Sequence, residues 1–213
     1  MRQDDKTTIY VFRHGQTHGN VRKQYDGHND VSLTEVGEAQ ARARATEFKD
    51  VHFDAVYSSD LIRAKHTAEL IKAERDLEVK TSELLRERSY GHFEGKNKDE
   101  LLAKYDEIFH KYELMVNHED RLRFDYGGII EGVDALVTRF VTVMREIALA
   151  NLGKTVMIVC HGSIMRAFLG HLNPDYYKQR FDNTGWFKVE SDGVNFQLEE
   201  TSGLIPIVLG GKK

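Results

Sequence analysis

The sequence of 213 residues contains one cysteine, Cys160, and only two prolines. A lone cysteine excludes a disulfide within the chain and a zinc site built from several cysteines. It also suits a reducing compartment, and no apolar segment follows the first residues, so we predict a cytoplasmic protein. Two prolines argue against proline-rich linkers between domains. We therefore predict a single domain over 1–213, with a disordered tail at 208–213.

Long hydrophobic runs and an excess of positive charge are also missing. No apolar run approaches the roughly 18 residues that a transmembrane helix needs, so we predict no membrane partner. The 30 Lys and Arg residues against 34 Asp and Glu residues give a net charge of −4, which disfavours a nucleic-acid partner. An anionic substrate must therefore be held by positive charge that is concentrated at one place.

Apolar strands alternate with amphipathic helices along the chain. The pattern predicts strands at 8–12, 53–57, 78–80 and 155–160, helices at 33–49, 60–74, 97–116, 131–150 and 163–171, and two final strands at 184–190 and 194–199. The segments 16–32 and 84–95 are predicted to be irregular. This alternation is typical of an α/β fold, here a three-layer sandwich whose mostly parallel sheet carries helices on both faces.

Two of the predicted strands end in His-Gly, at His14-Gly15 and at His161-Gly162. Ligands of open α/β sheets bind at the carboxyl ends of the strands, and a glycine there lets a ligand approach the main chain. One such histidine is commonly an ordinary loop residue. Two of them, each after an apolar strand, predict a site that contains both imidazoles.

The same edge of the sheet offers positive charge and a carboxylate. Arg13 precedes the first histidine and Arg63 lies one turn into the helix after the second strand, so the two guanidinium groups could clamp a tetrahedral oxyanion. A solvated surface position for Arg63 is the alternative. Glu87 is a candidate proton donor, because a carboxylate beside a phosphate dianion takes up a proton more readily. The residues alone do not separate Glu87 from Glu83 or Glu94, or exclude a simple surface ion pair for it.

A metal centre is a weaker interpretation of the same residues. His14, His161 and Glu87 are ligand types that zinc accepts. The arginines already provide positive charge for an anion, however, so we predict no metal and no other cofactor.

Several short motifs, in one order over about residues 8–170, resemble the histidine phosphatase superfamily, which includes the cofactor-dependent phosphoglycerate mutases. The motifs are Arg-His-Gly-Gln-Thr at 13–17 with an asparagine at 20, Ser-Ser-Asp-Leu-Ile-Arg-Ala at 58–64, Leu-Arg-Glu at 85–87 followed by Tyr-Gly at 90–91, and Val-Cys-His-Gly at 159–162. Asp26, and the Gly-Val that follows Glu131, depart from the pattern, so neither acidic residue receives a role from it.

The resemblance implies a role for each matching residue. His14 is the nucleophile that takes the phosphoryl group, Glu87 is the proton donor, and the phosphate is bound by Arg13, Arg63 and His161. Further contacts to phosphate or substrate are implied for Asn20, Gly27, Tyr90 and Gly162. A neutral His14 requires that its other ring nitrogen carry the proton and be held by a main-chain carbonyl.

Two enzymatic activities share such a phosphohistidine. A phosphatase lets water reach it, whereas a mutase returns the phosphoryl group to a bound acid. The mutases resemble this chain at residues 87–91 but carry a longer insertion with an adjacent arginine pair, and between 95 and 127 this chain has only the separated Arg121 and Arg123. We therefore predict a phosphatase acting on a small phosphorylated metabolite, a sugar phosphate or a glycerate-type ester, with a phosphoglycerate mutase as the alternative. An inactive phosphate-binding module is the weakest interpretation, and a homodimer is compatible with the sequence.

Overall fold

A computed structural model describes residues 6–115 and 117–207 of the chain. The strands are β1 (Thr7–Arg13), β2 (Ala55–Ser59), β3 (Val79–Ser82), β4 (Thr155–Cys160), β5 (Gln179–Ser191) and β6 (Phe196–Pro206). The helices are α1 (His18–Val21), α2 (Glu35–Glu47), α3 (Ile62–Lys72), α4 (Lys98–Lys104), α5 (Asp106–Leu114), α6 (His118–Leu122), α7 (Val133–Ala150) and α8 (Gly162–Leu172). The tail predicted at 208–213 lies outside the described residues.

The six strands form one sheet in the order β3-β2-β4-β1-β5-β6. The first four of these are mutually parallel, whereas β5 and β6 are antiparallel to their neighbours. The prediction of an α/β fold with a mostly parallel sheet is therefore confirmed. A parallel pair needs a crossover connection, and the predicted helices between the strands provide it.

Alternation along β4 shows how the two faces of the sheet are covered. Val156 and Ile158 belong to the apolar cluster that also contains the buried residues of α7 and α8. Met157 and Val159 belong to a second cluster, with the buried residues of α2 and α3. Successive side chains of a strand point to opposite faces, so an almost wholly apolar strand is the expected centre of a three-layer sandwich. Among the helices of the described ranges, none is both long and apolar enough to cross a membrane.

Three local predictions were wrong. The segment 16–32 includes the four-residue helix α1, whose capping box is formed by Thr17 and Asn20. The helix predicted over 97–116 is divided, because the backbone of Tyr105 leaves the helical region (φ −126°, ψ 28°) and α5 begins after it. The last two strands are longer than predicted, since they form an antiparallel hairpin at the edge of the sheet, where one-sided burial leaves a weaker apolar pattern.

Candidate active site

The register of β1 against β4 brings the two His-Gly segments together. Arg13 is the Cα partner of Cys160, and the His14 N–H donates to the Cys160 carbonyl at 3.0 Å. The chain therefore leaves both strands at the same level of the sheet edge. The imidazole rings of His14 and His161, far apart in sequence, have centroids 5.3 Å apart. β2 lies on the other side of β4, and α3 follows it at the same edge.

His14 is buried, and one of its ring nitrogens is fixed. Its Nδ1 lies 2.6 Å from the main-chain oxygen of Gly15. A carbonyl oxygen only accepts, so Nδ1 carries the hydrogen and Nε2 of the neutral ring is an unprotonated nucleophile. Burial, together with the charges of Arg63 and Arg13, lowers the pKa of His14 well below its ordinary value of 6.5. The ring is therefore neutral at physiological pH.

Arg13 and Arg63 are both held by main-chain carbonyls. Arg13 Nη1 donates to the Phe181 oxygen at 2.7 Å, and Arg63 donates through Nη1 to Asn29 at 2.8 Å and through Nη2 to Gly27 at 2.7 Å. The Nε atoms of both arginines are buried and have no hydrogen-bond partner within the described chain. Each guanidinium group is thus fixed in place and still has a donor for a ligand.

His161 is completely buried, and neither of its ring nitrogens has a hydrogen-bond partner among the described residues. Buried polar groups are nearly always paired, so an imidazole without a partner at this position indicates a ligand site. Burial, then Arg63 and His14, lowers the pKa of His161 well below 6.5. In the protein alone His161 is therefore a neutral donor, and the positive charge comes from Arg13 and Arg63.

The three candidate carboxylates lie in different environments. Glu87 lines the same cavity as His14, and its carboxylate accepts from the N–H groups of Arg88 at 2.8 Å and Ser163 at 3.0 Å. The side chain of Glu94 accepts from the Tyr90 N–H at 3.0 Å and so supports the turn that follows Glu87. Glu83 is 75% exposed and pairs with Arg86 on the surface. Of the three, only Glu87 is at the site.

The remaining predicted contacts line the same cavity. Asn20 is oriented through its Oδ1, which accepts from Asn183 at 3.1 Å, and Tyr90 shares a hydrogen bond of 3.0 Å with Ser163. Gly27 has a φ of +52°, a conformation that favours glycine. At Gly162 a Cβ atom would lie 3.2 Å from Arg13 Nε, so the missing side chain makes room for the guanidinium group.

Asp26, whose role the sequence left open, also lies at this cavity. Its Oδ2 accepts from the hydroxyl of Thr17 at 3.0 Å, and its carboxylate occupies the space where Gly19 lacks a side chain. Asp26 is buried and supports the helix that carries Asn20.

A Glu131–Arg139 pair escaped the sequence analysis, although it holds the segment that carries Glu87. Arg139 Nε and Nη2 bind the Glu131 carboxylate at 2.7 and 3.0 Å. The same guanidinium group donates to the main-chain oxygens of Leu84, Arg86 and Glu87 at 2.7–2.8 Å. Arg139 lies on α7 and Glu131 lies just before it. Their spacing in the sequence does not show that they form hydrogen bonds with residues 84–89.

A cavity of about 430 Å³ lies at the carboxyl edge of the parallel strands. Its lining includes the two fixed arginines, His14, Glu87 and the first residues of α8. Among the described residues, no three His, Cys, Asp or Glu side chains lie close enough to hold a metal ion together. A buried neutral nucleophile beside fixed cations and one carboxylate is an arrangement that can transfer a phosphoryl group.

The sequence model of the histidine phosphatase superfamily (branch 1) matches residues 9–202. The chain belongs to this superfamily. The resemblance inferred from the motifs is thereby confirmed. The superfamily sequence match spans β1 to β6 and so includes every residue of the site described above.

Both activities considered from the sequence occur among the relatives. The chain is 30% identical to the uncharacterized phosphatase PhoE of Bacillus subtilis, over 91% of this chain and 93% of that protein. It is 40% identical to a 2,3-bisphosphoglycerate-dependent phosphoglycerate mutase of Bartonella tribocorum, over 76% and 79% of the two chains. A phosphoserine phosphatase of Entamoeba histolytica, solved with 3-phosphoglyceric acid, superposes with a TM-score of 0.71 at 26% identity, over 92% and 96%.

Proposed function

We propose that this histidine phosphatase superfamily member is a metal-independent phosphatase that hydrolyses small phosphate monoesters through a phosphohistidine on His14. The observation that carries the proposal is the tautomer of His14. The Gly15 carbonyl holds the hydrogen on Nδ1, and the low pKa keeps Nε2 unprotonated beside two fixed guanidinium groups. Arg13 and Arg63 supply the charge that a metal ion supplies in other phosphatases.

In the first step His14 Nε2 attacks phosphorus and the bond between phosphorus and the ester oxygen breaks. The electron pair of that bond leaves with the oxygen, which takes a proton from the carboxyl group of Glu87. Arg13 and Arg63 stabilise the negative charge of the transferring group. Neutral His161 donates a hydrogen bond to it, and a phosphate dianion favours the protonated form of that ring.

In the second step the carboxylate of Glu87 takes a proton from water, and the water oxygen bonds to phosphorus. The bond between phosphorus and Nε2 breaks, and its electron pair returns to the ring of His14. Inorganic phosphate leaves and Glu87 is again protonated. Covalent capture therefore divides one difficult displacement into two easier ones.

The surroundings of Arg121 favour hydrolysis over a mutase reaction. Arg121 lines the cavity, whereas Arg123 is 80% exposed and lies 3.6 Å from Glu119 on the surface. The two arginines of this segment thus point to different places and do not form the pair that the resemblance implies for the mutases. The motif at residues 87–91 and the mutase relatives still make the mutase the second candidate.

Product analysis distinguishes the two activities. With 3-phosphoglycerate that carries a labelled phosphate, we expect the parent protein to release inorganic phosphate and glycerate. We also expect labelled phosphate bound to the parent protein, in a linkage that is stable in base and lost in acid. Neither product nor label is expected with His14→Ala. Conversion to 2-phosphoglycerate without release of phosphate would support the mutase, and substantial turnover by His14→Ala would exclude the covalent mechanism.

A further inference from the structure

Strand β5 contains a bulge at residues 182–185, beside the end of β1. Its pairing with β6 shifts between Phe181 and Trp186, where four residues of β5 stand opposite one residue of β6. On the other side of β5, Trp186 is the Cα partner of Phe12. The bulge therefore lies where β1 leads into His14. Bulges are common next to active sites, because they redirect side chains.

Thr184, in this bulge, has a backbone conformation that β-branched residues rarely adopt. It is buried, and its φ of +56° lies in the left-handed region. Its N–H donates to the His14 carbonyl at 3.3 Å, and its own carbonyl accepts from Arg44 Nε at 3.0 Å. Residues strained in this way persist only where their surroundings hold them, and they cluster at functional sites. The strained turn at Thr184 accompanies a contact of the preceding side chain, Asn183, with the His14 main chain.

The contacts of Asn183 determine which atom of its amide group faces the site. That atom lies 3.2 Å from the main-chain oxygen of His14. A carbonyl oxygen only accepts, so the atom is the donor Nδ2 and not Oδ1. The same Nδ2 lies 3.1 Å from the side-chain amide of Asn20, whose facing atom must then be the acceptor Oδ1. The His14 carbonyl thus fixes the orientation of two amide groups in succession.

Asn20 keeps one hydrogen-bonding group for a ligand. Its Oδ1 also accepts from the Thr17 N–H at 3.2 Å, which requires the same orientation of the amide. No acceptor for its Nδ2 is found within the described part of the chain, and Asn20 lines the cavity together with Arg13 and His14. The reversed amide would place Nδ2 against two donors and would turn an acceptor towards an anionic ligand. The observed orientation therefore suits a phosphate.

We propose that Asn183 is a positioning residue for phosphoryl transfer, which holds the amide of Asn20 so that its Nδ2 donates to the transferring phosphate. Asn183 lies outside the lining of the cavity and acts through Asn20. A donor that is already oriented stabilises developing negative charge without reorganisation during the reaction. The inference rests on the proposed function, because it takes the transferring phosphate to be the ligand of the cavity.

A double-mutant cycle with Asn183→Ala and Asn20→Ala tests this coupling. Turnover is measured with p-nitrophenyl phosphate, and the Kd of inorganic phosphate is measured by calorimetry. We expect Asn183→Ala to lower kcat/KM and to weaken phosphate binding by about 5- to 30-fold, part of the value of a charge-assisted hydrogen bond. In the Asn20→Ala background the same change should cost less than about twofold, because the group through which Asn183 acts is gone.

Asn195→Ala is the matched control. Asn195 is an exposed asparagine at the other end of the β5–β6 hairpin, and its Nδ2 donates to Asp192 at 3.2 Å, outside the cavity. Its replacement should leave kcat/KM and phosphate binding unchanged in both backgrounds. Thermal unfolding checks that each variant is folded, and if Asn183→Ala is not, Asn183→Asp takes its place in the cycle. Aspartate has the same shape but cannot donate as a carboxylate, and any direct effect of its charge on phosphate is common to both backgrounds and cancels.

A measurement on the parent protein needs no variant with altered stability. The side-chain NH₂ resonances of Asn20 should shift in the NMR spectrum when inorganic phosphate is added, and unchanged resonances would overturn the proposal.

The two proposals fail in different ways. An equal loss from Asn183→Ala in both backgrounds, or no loss in the parent background, overturns the role of Asn183 and leaves the phosphatase activity standing. If the parent protein binds inorganic phosphate but hydrolyses neither p-nitrophenyl phosphate nor 3-phosphoglycerate, the proposed function fails, and the cycle in Kd still decides whether Asn183 acts through Asn20. Absence of both hydrolysis and phosphate binding overturns both proposals.

Discussion

Replacing Arg139 by methionine tests whether the hydrogen bonds from helix α7 hold Glu87 in position. Methionine keeps an unbranched apolar stem but removes every hydrogen bond of the guanidinium group. Glu131 then loses its ion-pair partner and keeps only the Ser89 N–H, at 3.0 Å. Three main-chain carbonyls of residues 84–87 lose a donor. The Glu87 carbonyl keeps only His28 Nε2, at 2.9 Å.

The cost to stability follows from the burial of the pair. The side chains of Arg139 and Glu131 are 17% and 16% exposed. Removing one partner of a buried ion pair costs about 3–5 kcal/mol, and access of water to the remaining carboxylate reduces this. We expect the free energy of unfolding to fall by about 2–4 kcal/mol, which for a chain of this size lowers Tm by roughly 5–15 °C.

The effect on catalysis should depend on the leaving group. A misplacement of about 1 Å can lower a rate about 100-fold. We therefore expect kcat for an alkyl phosphate to fall by about 10- to 100-fold in Arg139→Met. The fall should be smaller for p-nitrophenyl phosphate, because its leaving group does not need the proton of Glu87. Both rates are measured well below the Tm of the variant.

Arg145→Met is the matched control. Arg145 lies on the same helix, is exposed, and donates through Nε to the Val194 carbonyl at 3.0 Å. Its replacement should change stability by less than about 1 kcal/mol and leave the ratio of the two rates unchanged. If Arg139→Met lowers both rates by the same factor, or neither, then Arg139 stabilises the fold and does not position Glu87.

The same pair predicts a dependence of stability on pH. Burial alone would raise the pKa of Glu131, but the hydrogen bonds and charge of Arg139 outweigh it and lower the pKa below 4.5. A carboxyl group whose pKa is lowered by folding stabilises the protein at pH values above its pKa in the unfolded state. This contribution to stability is lost as the pH falls through its pKa in the folded state. The stability difference between parent and Arg139→Met should therefore shrink below pH 4.5, as urea unfolding at pH 7 and pH 4 would show. A constant difference would contradict the assignment.

Three further predictions concern the chemistry. Glu87→Gln should lower turnover of an alkyl phosphate by about 10²–10⁴-fold, and should lower the rate of the first step with p-nitrophenyl phosphate much less. If the rate loss depended on the leaving group in Glu94→Gln and not in Glu87→Gln, Glu94 would be the proton donor. Activity should survive strong chelation, and its loss with recovery on adding a divalent ion would contradict a metal-independent mechanism. Since the lowered pKa keeps His14 neutral, kcat/KM should show no loss from protonation of His14 near pH 6.5, and a half-maximal point there that His14 causes would contradict the lowered pKa.

The sequence by itself determined the class of fold and the location of the two histidines of the candidate site. Apolar strands alternating with helices dictate a parallel sheet, and parallel strands place their carboxyl ends at one edge. His14 and His161 follow two such strands, so their meeting did not depend on knowing any side-chain contact. The ends of helices were predicted less well from the sequence, as the division of the predicted helix at Tyr105 shows.

The residues alone did not separate the three candidate carboxylates, and the family resemblance pointed to Glu87. The tertiary structure shows that Glu87 lines the cavity, and only the tertiary structure shows what holds it there. Glu83, Glu87 and Glu94 lie in one irregular segment, where no period fixes the direction of a side chain. That direction is set by partners distant in the chain: Glu87 is held through its carbonyl by Arg139, 52 residues away, and through its carboxylate by Ser163, 76 residues away. Hydrogen bonds between such distant groups exist only once the layers have packed, so a local pattern contains no record of them.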